Sequence, residues 1–160
     1  MTAHPTAIPS EERELVLTRL FDAPREKVYR AWTDPELLKQ WFVPKPWTIA
    51  EAETDVRPSG ASRIVMRDPD GNDYPNEGVY LEVVENERLV FTDAYTAGWH
   101  PTEKPFFTGI ITFEDEGGRT RYTARARHWR VEDKKAHEEM GFHEGWGQCA
   151  DQLAELLERI

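Results

Sequence analysis

Apolar and polar positions alternate with a period near two through most of this chain and switch to a helical period in two regions. Residues 15–21 (Leu-Val-Leu-Thr-Arg-Leu-Phe) read as a first strand. Asp22-Ala23-Pro24 stops it and opens a helix, with Pro24 in the first turn, where its missing N–H costs nothing. Val28, Ala31 and Trp32 follow at helical spacing. Thr33-Asp34-Pro35 repeats the signal, and Leu37, Leu38 and Trp41 give a second short helix its apolar side before Pro44-Lys45-Pro46 ends it. Strands are then predicted over 48–57, 61–67, 78–84, 88–95, 107–114 and 119–129. Their connections are short and carry turn residues, Asp68-Pro69-Asp70-Gly71 and Glu116-Gly117-Gly118 among them, so an antiparallel meander is expected. Residues 132–160 read as a long closing helix whose stripe is Phe142, Trp146, Cys149, Leu153, Leu156 and Ile160. Extended upstream, that stripe would carry Glu138 and Lys135, so a kink or a separate first turn is expected near Gly141.

One sheet and one long helix make two layers, so one sheet face is buried and the other is largely wet. Alternation assigns the faces. On the last strand Arg121, Thr123, Arg125 and Arg127 must point out, because unpaired buried charge is too costly, which turns Tyr122, Ala124, Ala126 and His128 inward. Ser62, Ile64 and Met66 go in; Arg63 and Arg67 go out, facing Glu51, Glu53 and Asp55 across the strands. Leu89, Phe91, Asp93, Tyr95, Ile111 and Phe113 are assigned inward. The fold class is therefore α+β, in the helix-grip arrangement. A curved seven-stranded antiparallel sheet wraps around the long C-terminal helix, with two short helices between strands 1 and 2. Residues 1–11 are expected to be a flexible N-terminal segment, and residues 12–160 a single domain.

Composition narrows the function classes. The 160 residues are 39% hydrophobic and 11% aromatic, enough for one ordinary core. The formal charge of −10 gives no general attraction to phosphate backbones, so no nucleic-acid partner is expected. No apolar run approaches a bilayer span, so membrane insertion is not expected. The start of the chain has neither a basic region nor an apolar one to act as a signal peptide, and the single cysteine, Cys149, makes no internal disulfide; a cytoplasmic location follows as the default.

Chemistry-bearing motifs are sparse. His137 and His143 are six residues apart, which puts them on different helix faces; both read as solvated, and neither metal nor cofactor is expected. Cys149 on the apolar stripe reads as a buried, inert thiol. Inward-facing His128 and Asp93 can be an acid–base pair or a satisfied polar pair of the core. Trp41, Phe42 and Trp47 around the Pro44-Lys45-Pro46 turn can rim a pocket or pin the small helices. Trp99 and His100 sit on a long connection that can cover an opening or pack on the sheet edge.

Several blocks together resemble the AHSA1-like domains, a family named for an activator of a heat-shock chaperone ATPase, within the START-like (SRPBCC) helix-grip superfamily. They are Arg19-Leu-Phe-Asp-Ala-Pro24, Ala31-Trp-Thr-Asp-Pro35, Asp55-Val-Arg-Pro58, Gly78-Val-Tyr-Leu-Glu82, Arg88-Leu-Val-Phe-Thr92 and Met140-Gly-Phe-His-Glu-Gly-Trp146. Two positions depart from the family pattern: Ser59 replaces a usual glycine and Ser62 a common large aromatic. The resemblance implies a hydrophobic cavity under the long helix and a small hydrophobic or aromatic ligand. The expected lining is Trp41, Trp47, Met66, Phe91, Tyr95, Phe113, His128, Phe142 and Trp146. The alternatives it leaves open are an enzyme of cyclase, aromatase or hydrolase type using His128, Asp93 and Tyr95, and a chaperone cofactor; a homodimer is compatible with each.

Overall fold

The computed structural model describes residues 10–160. The expected loose segment, 1–11, falls almost wholly outside them; its last two residues already belong to a short 3-10 helix, Ser10–Arg13. Nine strands and four helices follow in the order β1 (Glu14–Phe21), α1 (Arg25–Thr33), α2 (Pro35–Leu38), β2 (Thr48–Thr54), β3 (Ala61–Arg67), β4 (Asp73–Val84), β5 (Arg88–Thr92), β6 (Tyr95–Thr96), β7 (His100–Pro101), β8 (Thr108–Glu116), β9 (Arg119–Arg127), α3 (Val131–Glu139) and α4 (Phe142–Arg159). Seven strands form one curled antiparallel sheet in the order β1-β9-β8-β5-β4-β3-β2, and β6 and β7 make a separate two-stranded ribbon. The predicted meander is therefore present, with the first strand closing onto the last.

The local signals act as their chemistry requires. Asp34 accepts a hydrogen bond from the amide of Glu36 and caps α2, with Pro35 in its first turn. Asp68 accepts from the amides of Asp70 and Asn72, and Gly71 takes the left-handed conformation that closes the β3–β4 turn. Those hydrogen bonds hold the Asp68 carboxyl below its ordinary value. Ser59, standing where the family usually has glycine, still adopts a left-handed conformation.

The outer face is a lattice of ion pairs. Arg63 reaches Glu51 at 2.8 Å and Glu77 at 3.0 Å, joining β2, β3 and β4. Arg67 pairs with Asp73 rather than with the expected β2 acids. Arg121 pairs with Glu116, while Arg125 and Arg127 both pair with Glu14, whose side chain is only 4% exposed. The arginine row thus lies on the outer face, as alternation requires, and strict register across β8–β9 and β1–β9 keeps it there.

The inner face and α4 share one core. Leu15, Leu17, Tyr122, Ala124 and Ala126 from the sheet are buried with Ala150, Leu153, Leu156 and Leu157 of the helix. Trp32 and Trp41 pack edge to face at 5.1 Å, and their indole N–H groups donate to the Tyr122 hydroxyl and the Ala31 carbonyl. The expected single closing helix is two: Gly141 has φ 96° and separates α3 from α4.

One buried polar side chain ties the small helices to α4. The Gln152 amide donates to the carbonyls of Trp41 (2.9 Å) and Val43 (2.7 Å) and accepts from the amide of Lys45 (3.1 Å). Sequence patterning gives no hint of it, since a lone glutamine beside an apolar stripe reads as surface. Gln152→Leu keeps the volume and leaves three backbone groups unpaired, so it is expected to lower unfolding free energy by roughly 2–4 kcal/mol although it makes the helix more apolar. A urea midpoint equal to wild type would count against this clamp.

Candidate functional site

A pocket of about 440 Å³ lies between the first two turns of α4 and strands β3, β4 and β5. Its floor is Ser62, Ile64 and Met66, the inward row of β3. Its roof is Phe142, Gly145, Trp146 and Cys149, which recur at three- and four-residue spacing along α4. The remaining walls are aromatic: Trp41 and Phe42 after α2, Phe91 on β5, and Phe106 and Phe107 just before β8. The Phe91 ring lies across Gly109 of β8 so closely that any Cβ there would collide with it, which fixes this wall of the pocket. Asn76, Glu77 and Met140 are exposed and mark the side open to solvent.

Five of the nine residues expected in the lining are there: Trp41, Met66, Phe91, Phe142 and Trp146. The other four are elsewhere, each for a physical reason. Tyr95 is a correction: it is 38% exposed, not inward. Strand β5 ends at Thr92, where the chain turns as the Thr92 hydroxyl accepts from the Ala94 amide, so alternation does not carry through to Tyr95. Tyr95 instead joins the β6–β7 ribbon and packs edge-on against Trp99 at 5.6 Å, and neither Trp99 nor His100 lines the pocket. Trp47 lies against Tyr74 at 5.4 Å, away from the pocket. Phe113 points inward as assigned but is fully packed against Tyr29 and Tyr122 in the core. His128 is inward and buried, yet it stands behind another residue, His137.

His137 overturns its reading as a solvated surface residue, for it is 7% exposed. Its Nδ1 is 2.9 Å from Nε2 of His128, and Nδ1 of His128 is 2.8 Å from the Arg13 carbonyl. The rings of Phe106, Phe107 and Phe142 surround it at 4.6, 5.2 and 5.1 Å. Burial, with a smaller contribution from His128, pushes His137 down to about 4. Its helix is only weakly amphipathic, so only the expected break at Gly141 could have warned that α3 turns a different face to the core.

Asp93 does not pair with His128. Its carboxylate accepts from the amides of Phe106 (2.8 and 2.9 Å) and Phe107 (3.3 Å), holding the segment that enters β8. Burial raises its pKa, and the amide hydrogen bonds oppose that shift without cancelling it. Neither Phe106 nor Phe107 was assigned to the lining: Phe106 lies ahead of the expected strand, and Phe107, its expected first residue and in phase with the inward Ile111 and Phe113, stands just before β8 begins at Thr108. Burial pushes the Cys149 thiol up to about 12, so it stays a neutral thiol, as expected of a buried stripe position. Among the described residues no group of three or more His, Cys, Asp or Glu side chains is arranged to hold a metal ion, and no helix is long and apolar enough to cross a membrane.

The histidine pair ties stability to pH. His137 titrates lower in the folded than in the unfolded chain, so its contribution is complete above about pH 6.5 and is lost as pH falls toward about 4. The groups around it are His128 at the end of β9, Arg13 of the 3-10 helix and, across the pocket, Asp93, whose raised pKa works in the opposite direction in the carboxylate range. The thermal midpoint is expected to drop by several degrees between pH 6.5 and pH 4.5, and the drop to be smaller in His137→Phe. Parallel pH curves for the two proteins would refute the assignment.

Residues 22–158 match the family described as Activator of Hsp90 ATPase homolog 1-like protein. Among solved structures, a Nitrosomonas europaea protein is similar at 46% identity and a TM-score of 0.89, over 92% of this chain and 96% of that one. A Mycobacterium smegmatis protein is similar at 28% identity and a TM-score of 0.76, over 92% of each chain. A Rhodobacter sphaeroides protein shares the fold at 18% identity and a TM-score of 0.83, over 95% of this chain and 97% of that one. Among curated proteins none matches the chain.

Proposed function

The chain belongs to the Activator of Hsp90 ATPase homolog 1-like family, and from the pocket that its fold leaves open we propose that it binds a small hydrophobic, preferably aromatic, molecule between the sheet and α4. The observation that carries this reading is the character of the walls. Phe42, Phe91, Phe106, Phe107, Phe142 and Trp146 converge on one space, and only a few polar groups face it. That mixture, at about 440 Å³, is the usual make-up and size of a small-molecule site. A second support is Gly145. Glycine in a helix interior costs about 1 kcal/mol relative to alanine. Apart from its chain neighbours Glu144 and Trp146 and the nearby helix backbone, nothing lies within 4 Å of where its Cβ would be. The cost has no packing reason and leaves room in the pocket instead.

Gly145 therefore supplies the test. Gly145→Leu places a side chain into the open space without backbone strain and raises helix propensity. It is expected to weaken binding of a neutral fluorescent probe such as N-phenyl-1-naphthylamine by at least tenfold, while the denaturation midpoint stays equal or rises. Unchanged probe binding in a folded variant, or no saturable binding by the wild type, would remove the ligand-site reading.

A further inference from the structure

The polar corner of the pocket has a defined hydrogen-bonding sense. A carbonyl oxygen only accepts, so Nδ1 of His128 must donate to the Arg13 carbonyl, 2.8 Å away. With both imidazoles uncharged, Nε2 of His128 is then an acceptor, and Nδ1 of His137, 2.9 Å away, must donate to it. The proton inventory of a neutral imidazole leaves one outcome for the remaining nitrogen: Nε2 of His137 carries a lone pair. Among the described residues nothing pairs with that atom, and His137 lines the pocket. The pocket thus ends in a hydrogen-bond acceptor set among the rings of Phe106, Phe107 and Phe142.

Charge selects further. Among the described residues no lysine or arginine lines the pocket, and the charged side chain that faces it, Asp93, is acidic. Glu77 borders the pocket but turns its carboxylate to Arg63 on the outer face; Asp93 is bonded to the Phe106 amide, beside the ring that touches His137. A carboxylate entering this space would meet the Asp93 carboxylate and no lining lysine or arginine, and a buried anion without a partner is expensive. An acceptor that a bound ligand covers without supplying a donor is also costly, and a ligand hydroxyl removes that cost.

We infer that the pocket selects uncharged aromatic molecules bearing a hydroxyl group, the hydroxyl donating to Nε2 of His137. This rests on the pocket being a ligand site and goes beyond it by stating which functional group is read and which is refused. The aromatic walls accommodate the ring system, and His137, held in one tautomer by His128 and the Arg13 carbonyl, reads the O–H.

Four probes of nearly one shape test it by calorimetry on the whole protein at pH 7.5: naphthalene, 2-methoxynaphthalene, 2-naphthol and 2-naphthoate. 2-Naphthol is expected to bind about tenfold more tightly than its methyl ether, which keeps the oxygen and lacks the donor, with 2-naphthoate the weakest. In His137→Phe, 2-naphthol is expected to fall to the affinity of the ether, while naphthalene changes little. Equal binding of 2-naphthol and the ether, or tightest binding of 2-naphthoate, overturns the hydroxyl preference while leaving an apolar ligand site standing. Binding by none of the four, together with failure of the fluorescent probe, overturns both. A second measurement needs no variant. Nitrogen-15 spectra of the histidines should show Nε2 of His137 unprotonated and shifted on adding 2-naphthol; a protonated Nε2 in the free protein would overturn the inference.

Discussion

The left-handed turn at Gly141 is the constraint on which the site depends. Carried backwards from Phe142, the apolar stripe of α4 would bring Glu138 and Lys135 to the buried side, at a cost that no available partner offsets. The chain breaks instead. Gly141 takes φ 96° just after the last turn of α3, and its amide donates to the Glu138 carbonyl, so the helix end is closed before α4 begins in a new phase. Glu138 and Lys135 stay exposed, and the residue that α3 turns inward is His137. The polar corner of the pocket is thus a consequence of how charge was kept out of the core.

Beyond that break, one helix face does two jobs in succession. Phe142, Gly145, Trp146 and Cys149 line the pocket; Leu153 and Leu156, further along the same face, are sealed in the core with Ala124 and Ala126. The two alanines are fully packed in the cluster that holds the C-terminal half of α4. Gln152 stands at the changeover, holding the chain after α2 against the helix through three backbone hydrogen bonds. The pocket wall formed by Trp41 and Phe42 is therefore anchored to the helix that roofs it.

What was legible in the sequence was whatever follows from period and charge. Alternation in β3, β8 and β9 assigned the faces correctly, because one misplaced arginine would have turned the whole Arg121, Arg125 and Arg127 row into the core. The same rule failed at Tyr95, where a strand read to residue 95 ends at Thr92. The signal that ends it is tertiary: Asp93 leaves the ladder to accept amides thirteen and fourteen residues away. Phe106, Gln152 and His137 were missed on the same ground. Each acquires its role from a partner distant in sequence or from a segment outside regular structure, so no local period marks it.

The histidine pair shows how a core can retain a polar group and still be satisfied. Arg13 donates to the backbone carbonyl of His128, and the ring of His128 donates to the backbone carbonyl of Arg13, so β9 and the 3-10 helix are joined in both directions before His137 enters. That reciprocal bond fixes the orientation of His128, and His128 in turn fixes the tautomer of His137. Only the last nitrogen of the chain is left unused, and it belongs to the residue of the pair that lines the pocket. In an otherwise apolar surface such an atom has an outsized effect, because burying it without a donor costs more than most single ring contacts return.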